Sequence, residues 1–129
     1  MAVIALASGF PQLTPNGRGE TFQWLPLTNS GSDSGTPVEL ADYRSFAVQA
    51  ITGASTAGVG ANLIMEGSVD GVNWAPLVAL NGTAIAITTA NIAAYCKSNV
   101  ETVRYVRPRV TAGDGSTSIT VAIFCQRDF

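Results

Sequence analysis

An antiparallel all-β fold, built as a β-sandwich or jelly roll within a single domain, is what this sequence predicts. Three observations predict it. Short runs alternate apolar and polar residues with the period of a strand, as in Phe46, Val48 and Ala50 or Ile119, Val121, Ile123 and Cys125. Turn dipeptides break the chain at short intervals, among them Asn16-Gly17, Asp70-Gly71 and Asn81-Gly82. Long helical periodicity is missing, and a chain of 129 residues fits one domain.

The elements follow in order. Residues 1–19 read as an N-terminal arm and loop, and residues 20–129 as the β domain. Within the arm, residues 8–19 hold glycine, proline, asparagine and threonine, which is loop chemistry. Thr21 to Leu27 alternates as a strand, with Phe22 and Trp24 on one side; Pro26 marks it as an edge strand. A polar loop runs from Thr28 to Pro37. Val38 to Tyr43 fits a strand or a short helical turn, and Arg44 to Thr52 a strand with Phe46, Val48 and Ala50 inward. Gly53 to Gly60 is a connection of small residues.

Ala61 to Leu80 forms a hairpin over Asp70-Gly71, a dipeptide that supplies the positive φ angles of a tight turn. A two-residue loop pairs Gly67 with Trp74, so the indole covers a residue without a side chain. The same register puts Leu63, Met65, Trp74, Pro76 and Val78 on the core side, with Ile64, Glu66, Asn73 and Leu77 outward or toward a neighbour. Thr83 to Thr89 carries Ile85 and Ile87 as a further strand, and Ala90 to Cys96 tolerates a single helical turn. Glu101 to Thr111 and Ser116 to Gln126 form a second hairpin over residues 112–115.

Composition excludes several classes. Hydrophobic residues make up 47% and charged residues 12%, which is the opposite of a disordered chain. The net charge of -2 gives no bulk basic surface for nucleic acid. The chain has no histidine, hence neither the commonest general base nor the commonest metal ligand. Two cysteines, Cys96 and Cys125, are too few for a disulfide scaffold or a structural zinc site. They read as free thiols, with one bridge as the alternative. The first residues lack the basic segment of a cleaved leader, and their apolar run stops at Ser8. Apolar runs stay far short of a membrane span. No membrane, cofactor or metal is expected, and synthesis is expected in the cytoplasm.

The candidate chemistry is sparse. Glu66, Asp70 and Asp114 are the acid candidates, but a glycosidase needs two carboxylates about 5–10 Å apart, and the two aspartates fall where turns want them. A non-enzymatic role is therefore expected. Asp70-Gly71-Val72-Asn73 offers oxygen donors to calcium without EF-hand spacing. Arg104, Arg107 and Arg109 form the one basic cluster; strand alternation puts Tyr105, Arg107 and Arg109 on one face and Arg104, Val106, Pro108 and Val110 on the other. An ion pair from this cluster to Glu66 or Glu101 is one reading. The other is that Arg107 and Arg109 contact a protein partner, since arginine favours interfaces. Trp24 and Trp74 are either core residues or stacking platforms for a glycan. The low charge itself suits a surface buried against other chains, because small uncharged side chains cost little to order and desolvate.

One resemblance bears on role. Residues 66–77, Glu66-Gly67-Ser68-Val69-Asp70-Gly71-Val72-Asn73-Trp74-Ala75-Pro76-Leu77, resemble a hairpin that recurs in small all-β virion proteins of tailed phages. Arg104 to Val110 followed by Gly113-Asp114-Gly115 looks like the strand pair that closes those domains, and Tyr43 to Gln49 like an earlier core strand. The resemblance covers about residues 36–126; similar hairpins occur in galactose-binding-like sandwiches. It implies a capsid decoration, or cement, protein that binds the major capsid protein on the virion surface, often as a homotrimer. It also implies that the motif residues determine the fold. A carbohydrate-binding module and a tail or fibre adaptor are the alternatives. The arm, with Val3, Ile4, Leu6, Phe10 and Leu13 among glycines and prolines, is the expected segment that orders on docking, and Arg107 and Arg109 complete the partner-binding set.

Overall fold

The computed structural model describes residues 4–5, 19–29, 34–41, 43–78, 82–93, 96–99 and 103–127. It is an all-β domain of several sheets. Among the described residues twelve strands follow in chain order: β1 (Ile4–Ala5), β2 (Gly19–Trp24), β3 (Leu27–Thr28), β4 (Val38–Glu39), β5 (Tyr43–Ala50), β6 (Asn62–Ser68), β7 (Ala75–Pro76), β8 (Ala86–Thr88), β9 (Cys96–Asn99), β10 (Tyr105–Ala112), β11 (Ser118–Ile119) and β12 (Val121–Arg127). One sheet has the order β1-β2-β12-β5-β9. A second runs β4-β10-β6-β7, with β8 also on β6, and β11 pairs with β3 in a small ribbon. Every pairing between named strands is antiparallel.

The alternation read from sequence sets the inward faces. Phe46, Val48 and Ala50 of β5 and Val121, Ile123 and Cys125 of β12 are buried, and they join one cluster with Leu63 and Met65 of β6 and Val106 and Val110 of β10. Ile85 and Ile87 are also buried, as expected for the strand around β8. Burying side chains of this size contributes roughly 1.5–3 kcal/mol each, which sets the inward parity of every strand. Trp24 is 1% exposed, and its indole Nε1 donates to the Thr36 carbonyl at 2.8 Å, so the buried N–H is satisfied.

Four expectations are corrected. Thr21 to Leu27 is not one edge strand: β2 ends at Trp24, and Leu27 belongs to β3, paired with β11. Pro26 lies in the break between them, where its missing N–H costs no ladder bond. β10 and the last strand do not form a hairpin. β10 pairs with β4 and β6, whereas β12 pairs with β2 and β5, so residues 113–120, with β11 among them, carry the chain from one sheet to the other. Asp114 anchors that corner: its carboxylate accepts from the Ser116 N–H at 2.9 Å and the Val59 N–H at 2.8 Å. Ala90 to Ala93 is a turn, with the Asn91 N–H donating to the Thr88 carbonyl at 3.1 Å, and Cys96 already starts β9. A short 3-10 turn occurs instead at Thr52–Ala54.

The fourth correction concerns the Asp70-Gly71 hairpin, which forms but in a different register. Glu66 faces Pro76 and Gly67 faces Ala75, leaving residues 69–74 as a longer loop. A two-residue type I′ turn needs positive φ at both central residues. Here Gly71 has φ +77°, while Asp70 is not in that region. The shift of one residue turns Trp74, Pro76 and Val78 out of the core: Trp74 is half-buried, and the other two are exposed. Leu77 turns in to pack on the core instead. The space beside Gly67 is therefore filled by Leu77 and Val103, not by Trp74; a Cβ there would come within 2.7 Å of both.

Candidate functional site

The strands of the second sheet place the arginine cluster beside Glu66. β6 and β10 pair so that Arg107 lies directly opposite Glu66, and Arg109 opposite Ile64. Outward-facing Arg107 and Arg109 thus reach the same carboxylate. Arg107 donates through Nε to Glu66 Oε1 at 2.9 Å, and Arg109 Nη1 lies 3.5 Å from Glu66 Oε2. Within β10 the predicted alternation holds, with Val106, Pro108 and Val110 buried on the opposite side, but Arg104, expected on that side too, precedes the strand and is exposed.

Glu66 is only 5% exposed although it points away from the core. Trp74 helps explain the cover. The Arg107 guanidinium sits 4.2 Å from the centre of the indole ring, within cation–π range. Arg107 is thus held at its edge by a carboxylate and on its face by an aromatic, a combination that suits a planar, delocalised cation better than a lysine. Arg104 serves a separate and exposed pair, with its Nε 3.2 Å from Glu39 and its guanidinium 5.1 Å from the Tyr105 ring. Sequence reasoning found Glu66 as a candidate partner, but it missed that both arginines share it and that Trp74 stacks on Arg107. The signal for that stack is hidden by the one-residue register difference in the hairpin.

Of the acid candidates, Glu66 is taken up by the two arginines, and Asp70 and Asp114 do not converge. Asp70 follows the end of β6 beside Tyr105, and Asp114 lies beyond the far end of β10; eight strand residues at about 3.3 Å each put them roughly 25 Å apart. Asp70 is enclosed by donors within its own loop. Its carboxylate accepts from the Val72 and Asn73 N–H groups at 2.8 Å and from Asn73 Nδ2 at 2.7 Å, while Ser68 Oγ donates at 2.9 Å. The backbone and side-chain hydrogen bonds from Asn73, with those from Val72 and Ser68, hold the Asp70 carboxyl well below the ordinary carboxylate range. The hydrogen bonds of Ser116 and Val59 hold Asp114 down to about 2. Donors occupy the oxygens that calcium would need. Among the described residues no group of three His, Cys, Asp or Glu side chains is placed to hold a metal ion.

Both cysteines are free thiols. Cys125 faces the core, and burial, with the Glu20 charge adding to it, pushes its thiol up to about 12. Cys96 is exposed on β9 and points to the other side of the same sheet, so the pair is not aligned for a bridge.

Of the expected arm residues, Ile4 lies in β1, which pairs with β2 through Ile4 opposite Trp24 and Ala5 opposite Gln23. Val3, Leu6, Phe10 and Leu13 lie outside the described residues. No helix among the described residues is long and apolar enough to cross a membrane. Comparison with protein-family models, curated proteins and solved structures found no match for this chain.

Proposed function

We propose that the chain is a non-enzymatic structural protein of a phage virion, a capsid decoration or cement protein that binds the major capsid protein on the outside of the assembled head. In this reading the two larger sheets form a β-sandwich of the jelly-roll type, an arrangement supported by the single core cluster that both sheets feed. The mechanism is adhesive. A rigid domain that bridges neighbouring shell subunits binds only the assembled state and stabilises it by mass action.

The observation that carries the proposal is the use made of the hairpin residues on which the resemblance rests. Glu66 binds two arginines, Ser68 and Asp70 bind each other and the loop backbone, and Asn73 closes the same loop. The motif is consumed in building the fold, as the resemblance implies for fold determinants. The low charge supports a chain that functions in contact with others, as a closed homo-oligomer for which the resemblance implies a trimer. Arg107 and Arg109 and the arm around Ile4 are the proposed contact residues. The carbohydrate alternative rests on Trp74 alone, since Trp24 is buried.

Size-exclusion chromatography with light scattering is the first test. A closed oligomer is the expected result, followed by binding to empty heads. A stable monomer at micromolar concentration overturns the reading of the low charge and turns the search to a glycan array. Deleting residues 1–17 is expected to abolish head binding and leave the domain folded; unchanged occupancy rejects the arm.

A further inference from the structure

Asp70-Gly71 and Asp114-Gly115 are the same chemical weak point at two places in the fold. In an aspartyl-glycine pair the glycine amide nitrogen attacks the aspartate Cγ, unobstructed because glycine has no side chain. The N–C bond forms as the C–O bond breaks, and the carboxyl hydroxyl leaves as water with the amide proton. Water then opens the cyclic imide, and opening at the backbone carbonyl leaves the chain running through the side chain as isoaspartate. No other reactant is needed. Exposure alone ranks Asp70-Gly71 as the faster site, since both its residues are exposed whereas Asp114 is half-buried.

Hydrogen bonding ranks the two sites the other way. Ser68 ends β6, opposite Tyr105, and is 4% exposed. Its Oγ accepts from the Gly71 N–H at 2.9 Å and the Asp70 N–H at 3.2 Å, and it donates to Asp70 Oδ1 at 2.9 Å. One buried hydroxyl therefore holds the nucleophile and the electrophile together. It fixes the Gly71 peptide plane, while the carboxylate is turned onto the Val72 and Asn73 N–H groups. Asp114 lacks the first half of this lock. Thr117 Oγ1 accepts from the Asp114 N–H at 2.9 Å, but the Gly115 N–H meets no acceptor among the described residues, and Gly115 lies in open space. The neutral acid is the reactive form, so the hydrogen bonds that hold both carboxyls ionised slow both sites, Asp70 the more. We propose that the Ser68 hydroxyl protects Asp70-Gly71 from isomerisation, so that the folded chain isomerises first at Asp114-Gly115. Isoaspartate at residue 70 would lengthen the backbone and displace the carboxylate that closes the loop between β6 and β7, beside the stacked Trp74 and Arg107. The protection depends neither on a partner nor on the oligomeric state.

The experiment ages the native chain and Ser68→Ala in mildly acidic buffer and quantifies isoaspartate at each site by peptide mapping with mass spectrometry. The native chain unfolded in urea gives the intrinsic rate at each site, expected to be similar for the two. In the folded native chain Asp70 is expected to lag behind Asp114 by about tenfold or more, the effect of one buried hydrogen bond on a rate. Ser68→Ala is expected to raise the Asp70 rate by about the same factor and to leave the Asp114 rate unchanged, with the fold checked by circular dichroism. Amide hydrogen exchange on the native chain tests the lock without a variant: the Gly71 N–H is expected to exchange about tenfold or more slowly than that of Gly115, although both glycines are exposed. Where Ser68→Ala fails to fold, the native ranking and the Gly71 exchange decide. An Asp70 rate equal to or above that of Asp114 in the folded native chain overturns the proposal, as does Gly71 exchange as fast as that of Gly115. A folded Ser68→Ala chain whose Asp70 rate is unchanged, or whose two sites rise together, also overturns it, the second because the serine then acts only through general stability.

Discussion

Replacing Glu66 by alanine tests the arginine cluster directly. The substitution leaves Arg107 pressed on Trp74 with its Nε donor unpaired, and it takes from Arg109 the carboxylate 3.5 Å away. Breaking a fully buried pair in this way costs about 3–5 kcal/mol. The Arg107 side chain keeps 21% of its surface in solvent and Arg109 44%, so water screens part of the loss. We therefore expect about 2 kcal/mol, which for a domain of this size lowers the melting temperature by about 8 °C. Glu39 provides the control. It pairs with Arg104 in the open, and Glu39→Ala is expected to cost no more than about 0.5 kcal/mol. Urea unfolding followed by tryptophan fluorescence measures both, at low and high salt. The Glu66 effect persists in high salt because the pair is covered, and the Glu39 effect fades. A double-mutant cycle with Arg107→Ala isolates the coupling, expected to be about 1 kcal/mol or more. Equal costs for Glu66→Ala and Glu39→Ala, or a Glu66 effect that vanishes in salt, refute the reasoning.

Three further outcomes are expected. Asp114, with a folded pKa of about 2 against an ordinary value of 3.8, and Asp70, held lower still, bind fewer protons folded than unfolded. Their contribution is complete above the unfolded value and is lost as pH falls below about 4 toward 2; denaturation midpoints measured across that window are expected to flatten in Asp70→Asn and Asp114→Asn. Gly71→Ala forces a side chain into φ +77° and is expected to cost about 1–2 kcal/mol by thermal melting, whereas Gly115→Ala, in open space, stays within about 0.5 kcal/mol. Met65→Ala opens a cavity at the centre of the core and is expected to cost about 3 kcal/mol in urea unfolding, against less than about 1.5 kcal/mol for Met65→Leu.

What the sequence determined by itself was local. A strand's inward face is set by an alternation that is visible in a few consecutive residues, so Phe46, Val48, Ile123, Cys125, Val106 and Val110 were all legible as one-sided. The turn at Asp70-Gly71 and the free cysteines were legible on the same terms. The tertiary structure decided what depends on partners distant in the chain. Ala112-Gly113-Asp114-Gly115 looks identical whether it closes a hairpin or carries the chain to another sheet; the choice follows from β12 finding its hydrogen bonds between β2 and β5. Likewise Asp70-Gly71 reads as a two-residue loop until the Asp70 carboxylate captures the Val72 and Asn73 N–H groups and lengthens it. That single residue of register moves Trp74 from the core onto Arg107, because side chains in a strand change face with every step.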